Sequence, residues 1–118
     1  MACAAEMSSD LIYELDVATQ RMQWFGDVDA SLGCQDGAVP RTLAGWLGRM
    51  HPDDQDRLRN HAERCSTTTT PIWEEYQIRH NDGSWRYWVD RATPILDSRG
   101  HPIRWVGTCT DITERKQA

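Results

Sequence analysis

Side chains that perform acid, base and nucleophilic chemistry are present in this sequence, but they form no recognisable catalytic pattern. The four histidines lie far apart along the chain, at His51, His61, His80 and His101. The chain has no His-x-x-x-His pair, no nucleophile turn of the Gly-x-Ser-x-Gly type and no glycine-rich phosphate-binding loop. Because an activity must be argued from an assembled site, we expect no catalytic residue and no enzymatic activity in this chain itself.

The four cysteines do not have the spacing of metal ligands. Cys3, Cys34, Cys65 and Cys109 are separated by 31, 31 and 44 positions, and no histidine is spaced as a zinc-ligand partner. We expect reduced thiols, since a chain with six tryptophans can close a core without disulfide bonds. Two disulfides are the alternative. No metal site is predicted.

Length and charge limit the possible partners. The 118 residues correspond to one domain, and 18 acidic against 13 basic residues give a net charge of −5. This charge provides no attraction for nucleic acid or anionic lipid. No apolar stretch could cross a bilayer, and residues 2–5 lack the basic start and long apolar run of a signal peptide. We therefore expect a cytoplasmic domain that contacts neither nucleic acid nor membrane.

Hydrophobic patterns predict an α+β fold. Strands are predicted over residues 11–16, 21–25, 72–80, 84–96 and 103–112, and helices over 43–50 and from 52 to about 66. Short helical turns and loop are predicted for 27–41. Residues 1–10 have no period and are predicted to be disordered or a linker, so that the domain covers 11–113. Thr113 is predicted to cap a final helix that starts at Glu114 and continues over 114–118.

Five short motifs follow one another along the chain. They are Trp46…Met50-His51-Pro52-Asp53-Asp54, Glu75-Tyr76-Gln77-Ile78-Arg79, Asp82-Gly83-Ser84 with Arg86-Tyr87-Trp88-Val89, Pro94-Ile95…Asp97…Gly100, and Gly107-Thr108…Asp111-Ile112-Thr113-Glu114-Arg115-Lys116. In this order they resemble a PAS domain with its C-terminal PAC motif, in the subgroup with a Trp followed by His-Pro-Asp-Asp and with a terminal Asp-Ile-Thr-Glu-Arg-Lys. The similarity covers about residues 11–116.

The resemblance implies a five-stranded antiparallel sheet in the order 2-1-5-4-3, with short helices on one face. It also implies a sensory or regulatory module of a larger signal-transduction protein, such as a two-component histidine kinase or a diguanylate cyclase or phosphodiesterase. Such a module binds a small molecule, forms a dimer, or does both, and relays a conformational signal to an effector domain in the same polypeptide. A ligand-free module for protein interaction and dimerisation is the alternative.

Strand alternation divides the side chains between two faces, and analogy with the family assigns one of them to the concave face. The candidates for a ligand pocket on that face are Tyr76, Ile78, Trp88, Asp90, Ala92 and Cys109. Alternation alone does not identify the concave face. In the alternative arrangement the aromatic rings fill the core, Asp90 pairs with Arg79 or Arg91, and no cavity remains.

The opposite face is unusually apolar, which indicates a partner surface. The resemblance to PAS domains, in which this face often packs against a flanking helix or a second PAS domain, implies a homodimer. The candidates for this surface are Trp73, Trp85, Tyr87 and Val89. Asp111 and Thr113 lie where the last strand passes into the final helix, and the resemblance implies that they relay the signal. Asp111 as a simple turn-stabilising acid is the alternative.

The cofactor, if there is one, is unknown. Flavin-binding relatives with a photochemical cysteine carry it in an Asn-Cys-Arg motif, whereas Cys34 lies between Gly33 and Gln35, which argues against flavin. Haem-binding relatives use a histidine on the long helix, where His61 lies. Nothing else indicates a porphyrin site, so a partly buried structural histidine is favoured over haem. A small haem or redox sensor that uses His61 or a cysteine remains a third possibility.

Overall fold

A computed structural model describes residues 10–117 of the chain as one five-stranded sheet with four helices. The strands are β1 (Leu11–Asp16), β2 (Met22–Phe25), β3 (Ile72–Arg79), β4 (Trp85–Leu96) and β5 (Pro102–Asp111). The helices are α1 (Val28–Ser31), α2 (Leu43–Leu47), α3 (Pro52–Glu63) and α4 (Thr113–Gln117). Within residues 10–117, no helix has both the length and the apolar character needed to cross a membrane. The linker predicted for the N-terminus lies, apart from residue 10, outside the described residues.

The strands form an antiparallel sheet in the order β2-β1-β5-β4-β3, which confirms the predicted fold class. The three consecutive strands β3, β4 and β5 therefore lie beside the first two strands, β1 and β2, with β5 next to β1. Gly83, with φ of +90°, closes the turn between β3 and β4, a backbone conformation that glycine adopts without steric cost. In the resulting register Asp90 lies opposite Cys109, and Trp88 lies opposite Asp111.

Residues of the inner sheet face alternate with outer residues along every strand. The inner positions of β1 are Leu11, Tyr13 and Leu15, and all three are buried. The buried core continues through a chain of aromatic rings from Tyr13 to Trp24, Trp46 and Trp88, with centroid separations of 5.2, 4.8 and 5.6 Å. Tilted rings at such distances add about 0.5–1.5 kcal/mol per pair beyond their buried area.

Helices α2 and α3 are anchored at their N-termini and are shorter than predicted. His51 precedes α3, and its Nδ1 accepts a hydrogen bond from the Asp53 N–H, while Pro52 occupies the first turn, where no N–H is required. The Asp54 carboxylate accepts the Gln77 N–H at 2.8 Å, which fixes α3 to β3. Helix α2 ends at Leu47 because Met50 pairs with Ile78 in an isolated bridge.

The segment 27–41 contains one short helix and is organised around the buried carboxylate of Asp29. Its oxygens accept the N–H groups of Gly37 and Val39 at 2.9 and 2.8 Å. The Arg41 guanidinium donates to both oxygens, at 3.2 and 2.7 Å. These bonds, first those from Arg41, hold the pKa of Asp29 well below its ordinary value. Asp27 and Asp36 lie close by, but Arg41 already neutralises the buried acid.

Candidate functional site

A cavity of about 420 Å³ lies between the inner sheet face, helices α2 and α3, and the segment 64–71 that leads into β3. Most of its lining is apolar or aromatic, and it includes Tyr13, Met22, Trp46, Leu58, Tyr76 and Trp105. The volume lies in the range of small-molecule pockets in proteins, about 300–1,000 Å³. The structure therefore contains room for a small organic ligand.

Asp90 on β4 forms the polar centre of this cavity and is only 7% exposed. Its Oδ1 accepts a hydrogen bond from the Tyr13 hydroxyl at 2.9 Å. Its Oδ2 accepts one from the Tyr76 hydroxyl at 3.2 Å, and the Tyr76 oxygen also lies 3.4 Å from the Trp46 Nε1 donor. The Cys109 sulfur is 3.6 Å from the same hydroxyl. Strands β1, β3, β4 and β5 and helix α2 thus all contribute to one polar cluster.

Burial determines the protonation behaviour of this cluster. Desolvation raises the pKa of Asp90 to about 6, against the opposing effect of its hydrogen bonds from Tyr13 and Tyr76. The pKa of each tyrosine is raised well above its ordinary value, first by burial and then by the Asp90 charge. The same two causes raise the pKa of the Cys109 thiol. The hydroxyls therefore remain donors, and Cys109 remains a thiol without the thiolate character of a reactive cysteine.

The structure brings only some of the predicted pocket residues to the cavity. Tyr76, Asp90 and Ala92 line it. Ile78, Trp88 and Cys109 are buried on the same sheet face but do not line the cavity, and Trp88 instead extends the aromatic core.

The alternative of a filled core with an Asp90–arginine pair is not observed. Among the described residues, Asp90 accepts side-chain hydrogen bonds from the two tyrosines and lies beside the Cys109 thiol, and neither Arg79 nor Arg91 forms an ion pair with it. Arg79 and Arg91 alternate to the outer face of the sheet and are exposed.

Two residues of the cluster were missed by the sequence analysis of the pocket. Tyr13 comes from the first strand, where the alternation Leu11, Tyr13, Leu15 would have indicated an inward ring. Trp46 belongs to the apolar stripe of α2, which predicted burial but not its contact with Tyr76.

An ion-pair cluster borders the cavity beside β3. Glu74 lines the cavity, and its Oε2 lies 3.1 Å from His61 Nε2, while its Oε1 is paired with Arg57. Arg57 also donates to the Asp54 carboxylate at 3.2 Å. The acid at the border therefore has cationic or protonatable partners, unlike Asp90. His61, considered above for haem, makes this carboxylate contact.

The outer face carries a second depression between the sheet and α4. Trp73, Trp85 and Val89 line it, and the Trp73 side chain is 63% exposed. Tyr87 lies under the Lys116 ammonium, which is 5.9 Å from the ring centroid. Alternation along β3 and β4 places all four predicted partner-face residues on the side of the sheet opposite Asp90, and Trp73 also borders the cavity.

Asp111 and Thr113 form the junction between β5 and α4. Asp111 Oδ1 accepts the Thr113 N–H at 2.9 Å and the Thr113 hydroxyl at 2.6 Å. The Thr113 oxygen accepts the Tyr87 N–H at 2.9 Å. Thr113 is the first residue of α4 rather than its cap, because Asp111 supplies the acceptor at this end. The turn-stabilising interaction of Asp111 is therefore present in the structure.

Comparisons with known proteins agree with this fold. A family profile described as "PAS fold" matches residues 21–109. Two curated relatives are each 30% identical: an uncharacterised protein y4lL of Sinorhizobium fredii over 63% of this chain, and the peroxide stress-activated histidine kinase mak1 of Schizosaccharomyces pombe over 61%. The matched regions span only 9% and 4% of the lengths of those proteins.

Two solved structures share the fold at low sequence identity. The N-terminal domain of a diguanylate cyclase with a PAS/PAC sensor from Marinobacter aquaeolei superposes with a TM-score of 0.81 and 23% identity, covering 91% of this chain and 98% of that one. A sensory box histidine kinase/response regulator from Burkholderia thailandensis gives 0.75 and 24%, covering 98% and 86%. The motifs, the strand order and the profile match over most of the chain lead to one conclusion: the chain belongs to the PAS family.

Proposed function

We propose that this domain is the sensory module of a larger signal-transduction protein. It binds a small molecule in the cavity around Asp90, dimerises through its outer sheet face, and relays a conformational signal to an effector domain. The similarity to regions of a histidine kinase and of a diguanylate cyclase supports an effector of one of these classes. The domain itself is regulatory rather than catalytic, uses neither flavin nor haem, and acts in the cytoplasm.

One observation carries this proposal: β5 contacts both the polar cluster and the start of the last helix. Cys109 on β5 touches the Tyr76 hydroxyl beside the cavity. Two residues later Asp111 holds Thr113 at the start of α4. The neighbouring strand has the same arrangement, since Asp90 lies in the cavity and Tyr87 bonds to Thr113. A ligand that moved these strands would therefore act directly on α4.

Native mass spectrometry of the purified domain tests the ligand. We expect a mass above that of the chain, which is lost on denaturation, and the difference identifies the ligand class. An Ala92→Trp variant, which places a large ring on the cavity wall, should lose the extra mass. A bare mass in both proteins, together with no small molecule from cell extract retained by the wild-type domain, would contradict ligand sensing.

The alternative, a ligand-free interaction module, is favoured by the exposed Trp73 and the depression beside it. Val89→Arg places a charge at this surface, and we expect it to convert a dimer to a monomer in light scattering while leaving any bound mass unchanged. Ile103→Arg is the matched control, since Ile103 is 42% exposed and does not line the depression. Equal oligomeric states for both variants and the wild type would contradict the assigned dimer face.

A further inference from the structure

We propose, on the basis of the sensory function above, that the cavity takes an organic cation: an ammonium group on an apolar or aromatic body, with the ammonium bound to Asp90. The charges, the free hydrogen-bonding positions and the walls of this cavity support a ligand of this charge and polarity.

The charge inside the cavity favours a cationic ligand. Within residues 10–117, the ion pairs leave Asp90 without a cationic partner. The other acid of the cavity, Glu74, is already paired with Arg57 and faces His61. Arg64 also lines the cavity, but its side chain belongs to an exposed residue at the rim. The floor of the cavity therefore carries an uncompensated negative charge when Asp90 is ionised.

The free acceptor positions of Asp90 favour a ligand that donates hydrogen bonds. A carboxylate offers about four lone-pair positions, and the hydroxyls of Tyr13 and Tyr76 occupy one position on each oxygen. Any further partner of Asp90 must therefore be a donor. An ammonium group satisfies this requirement and supplies the missing charge, and charge-assisted bonds of this kind are about twice as strong as neutral ones. A carboxylate ligand would instead bring two like charges together in a poorly hydrated space.

The walls of the cavity favour a ligand with an apolar or aromatic body. The hydroxyls of Tyr13 and Tyr76 contact the acid, Trp46 and Trp105 add aromatic surface to the walls, and Met22 and Leu58 extend the apolar lining. Ring faces attract cations by their quadrupole, and the apolar wall binds the body of the ligand through the hydrophobic effect. An amine with an apolar body therefore matches each part of the cavity, whereas a strongly hydrated polyol does not match the walls and a polyanion matches neither the walls nor Asp90.

Calorimetry with three matched probes tests the inference: 2-phenylethylamine, 2-phenylethanol and phenylacetate, which share a phenyl ring and differ in charge. We expect the amine to bind at least tenfold more tightly than the alcohol, and the alcohol more tightly than phenylacetate. In Asp90→Asn the advantage of the amine over the alcohol should fall at least tenfold, while the affinity for the alcohol stays within about twofold. Circular dichroism of the variant verifies its fold.

The pH dependence provides a second readout. Asp90 is faced by Tyr13 from β1, by Glu74 and Tyr76 from β3, and by Cys109 from β5. With the pKa of Asp90 at about 6, ionisation rises from about one tenth at pH 5 to about nine tenths at pH 7. The amine should therefore bind about tenfold more weakly at pH 5. Imidazoles can titrate in this interval, so His61→Gln is the control and should keep the same pH dependence.

Each outcome has a definite meaning. Amine preference that depends on Asp90 supports the inference. Equal affinities, a preference for phenylacetate, or no binding of any probe overturns the cationic ligand class. The sensory function is tested separately by native mass spectrometry: a retained neutral or anionic ligand would refute the inference and support the proposed function, whereas a bare and unoccupied domain would contradict both.

Discussion

Asp29 and Asp90 are both almost completely buried, and each accepts hydrogen bonds on both carboxylate oxygens. Their surroundings differ in one respect. Asp29 meets the Arg41 guanidinium and two backbone N–H groups, whereas Asp90 meets two neutral hydroxyls and a cavity. The pKa of the first is lowered, mainly by Arg41, and the pKa of the second is raised by burial.

The difference separates a carboxylate that is neutralised within the fold from one that faces a cavity without a cationic partner. A buried charge is stable when it is paired and fully hydrogen-bonded, and it is costly when it is not. Asp29 satisfies this condition within its own segment and fixes the chain from residue 27 to 41. Asp90 does not satisfy this condition, and a cationic ligand would supply the opposite charge that Asp90 lacks.

Removal of the structural carboxylate should have the largest effect. In Asp29→Ala two backbone donors and Arg41 lose their acceptor, so we expect the free energy of unfolding to fall by about 3–4 kcal/mol. The Arg41 side chain is 40% exposed and can be partly rehydrated, which limits the loss. Urea denaturation followed by circular dichroism measures the change.

Asp36→Ala is the control for this prediction, because Asp36 is an exposed acid of the same segment and should change stability by less than about 0.5 kcal/mol. Equal losses in the two variants would show that Asp29 does not organise the segment.

Neutralisation of Asp90 should change the free energy of unfolding in the opposite direction. Since the pKa of Asp90 in the fold is about 6 against an ordinary 3.8, its contribution to stability is complete below pH 3.8 and is lost as the pH rises to 6. Asp90→Asn has no charge to bury, so its free energy of unfolding relative to the wild type should rise by about 2–2.5 kcal/mol between pH 4 and pH 8.

Denaturation curves at several pH values measure this difference. Asp29→Asn should behave in the opposite sense, because a lowered pKa gives stability that is present above the ordinary value and lost as the pH falls below it. If the difference in unfolding free energy between Asp90→Asn and the wild type did not vary with pH, ionisation of Asp90 would not destabilise the native domain.

A smaller effect is expected from Gly107→Ala on β5. A Cβ at this position would collide with the Tyr13 ring and displace its hydroxyl from Asp90. We expect a loss of about 2 kcal/mol and an upward shift of the Asp90 pKa, since one stabilising donor is removed. Gly48→Ala, whose nearest neighbours would lie at 3.5 Å, is the matched control. Comparable denaturation midpoints would contradict the tight packing of Tyr13 on β5.

Much of the sheet could be predicted from the sequence, because alternation and turn residues are local signals. The limits of β1 agree with the prediction, and those of β3 differ by one residue. The ends of the helices were harder to predict from the sequence. Met50 continues the apolar stripe of α2, but it pairs with Ile78. A hydrophobic period records which face is buried and does not record where backbone hydrogen bonds change partner.

The candidate site was only partly predictable for a different reason. Tyr13 and Asp90 are separated by 77 positions, so no local spacing relates them. Alternation placed Trp88 and Asp90 on one face, but it did not distinguish a ring that fills the core from an acid that faces a cavity. The segment around Asp29 was unreadable because it is organised by one carboxylate and the backbone, which leaves no periodic pattern.

The pairing of β4 with β5 restricts how a signal could leave the cavity. Asp90 lies opposite Cys109, and Trp88 opposite Asp111, so the cavity and the helix junction are separated by two residues, about 7 Å. Sliding one strand past the other by one residue would turn Asp90 to the outer face. Translation along the strands is thereby excluded as a small motion. A change of sheet twist preserves this register, and it would rotate α4 about the strand axis.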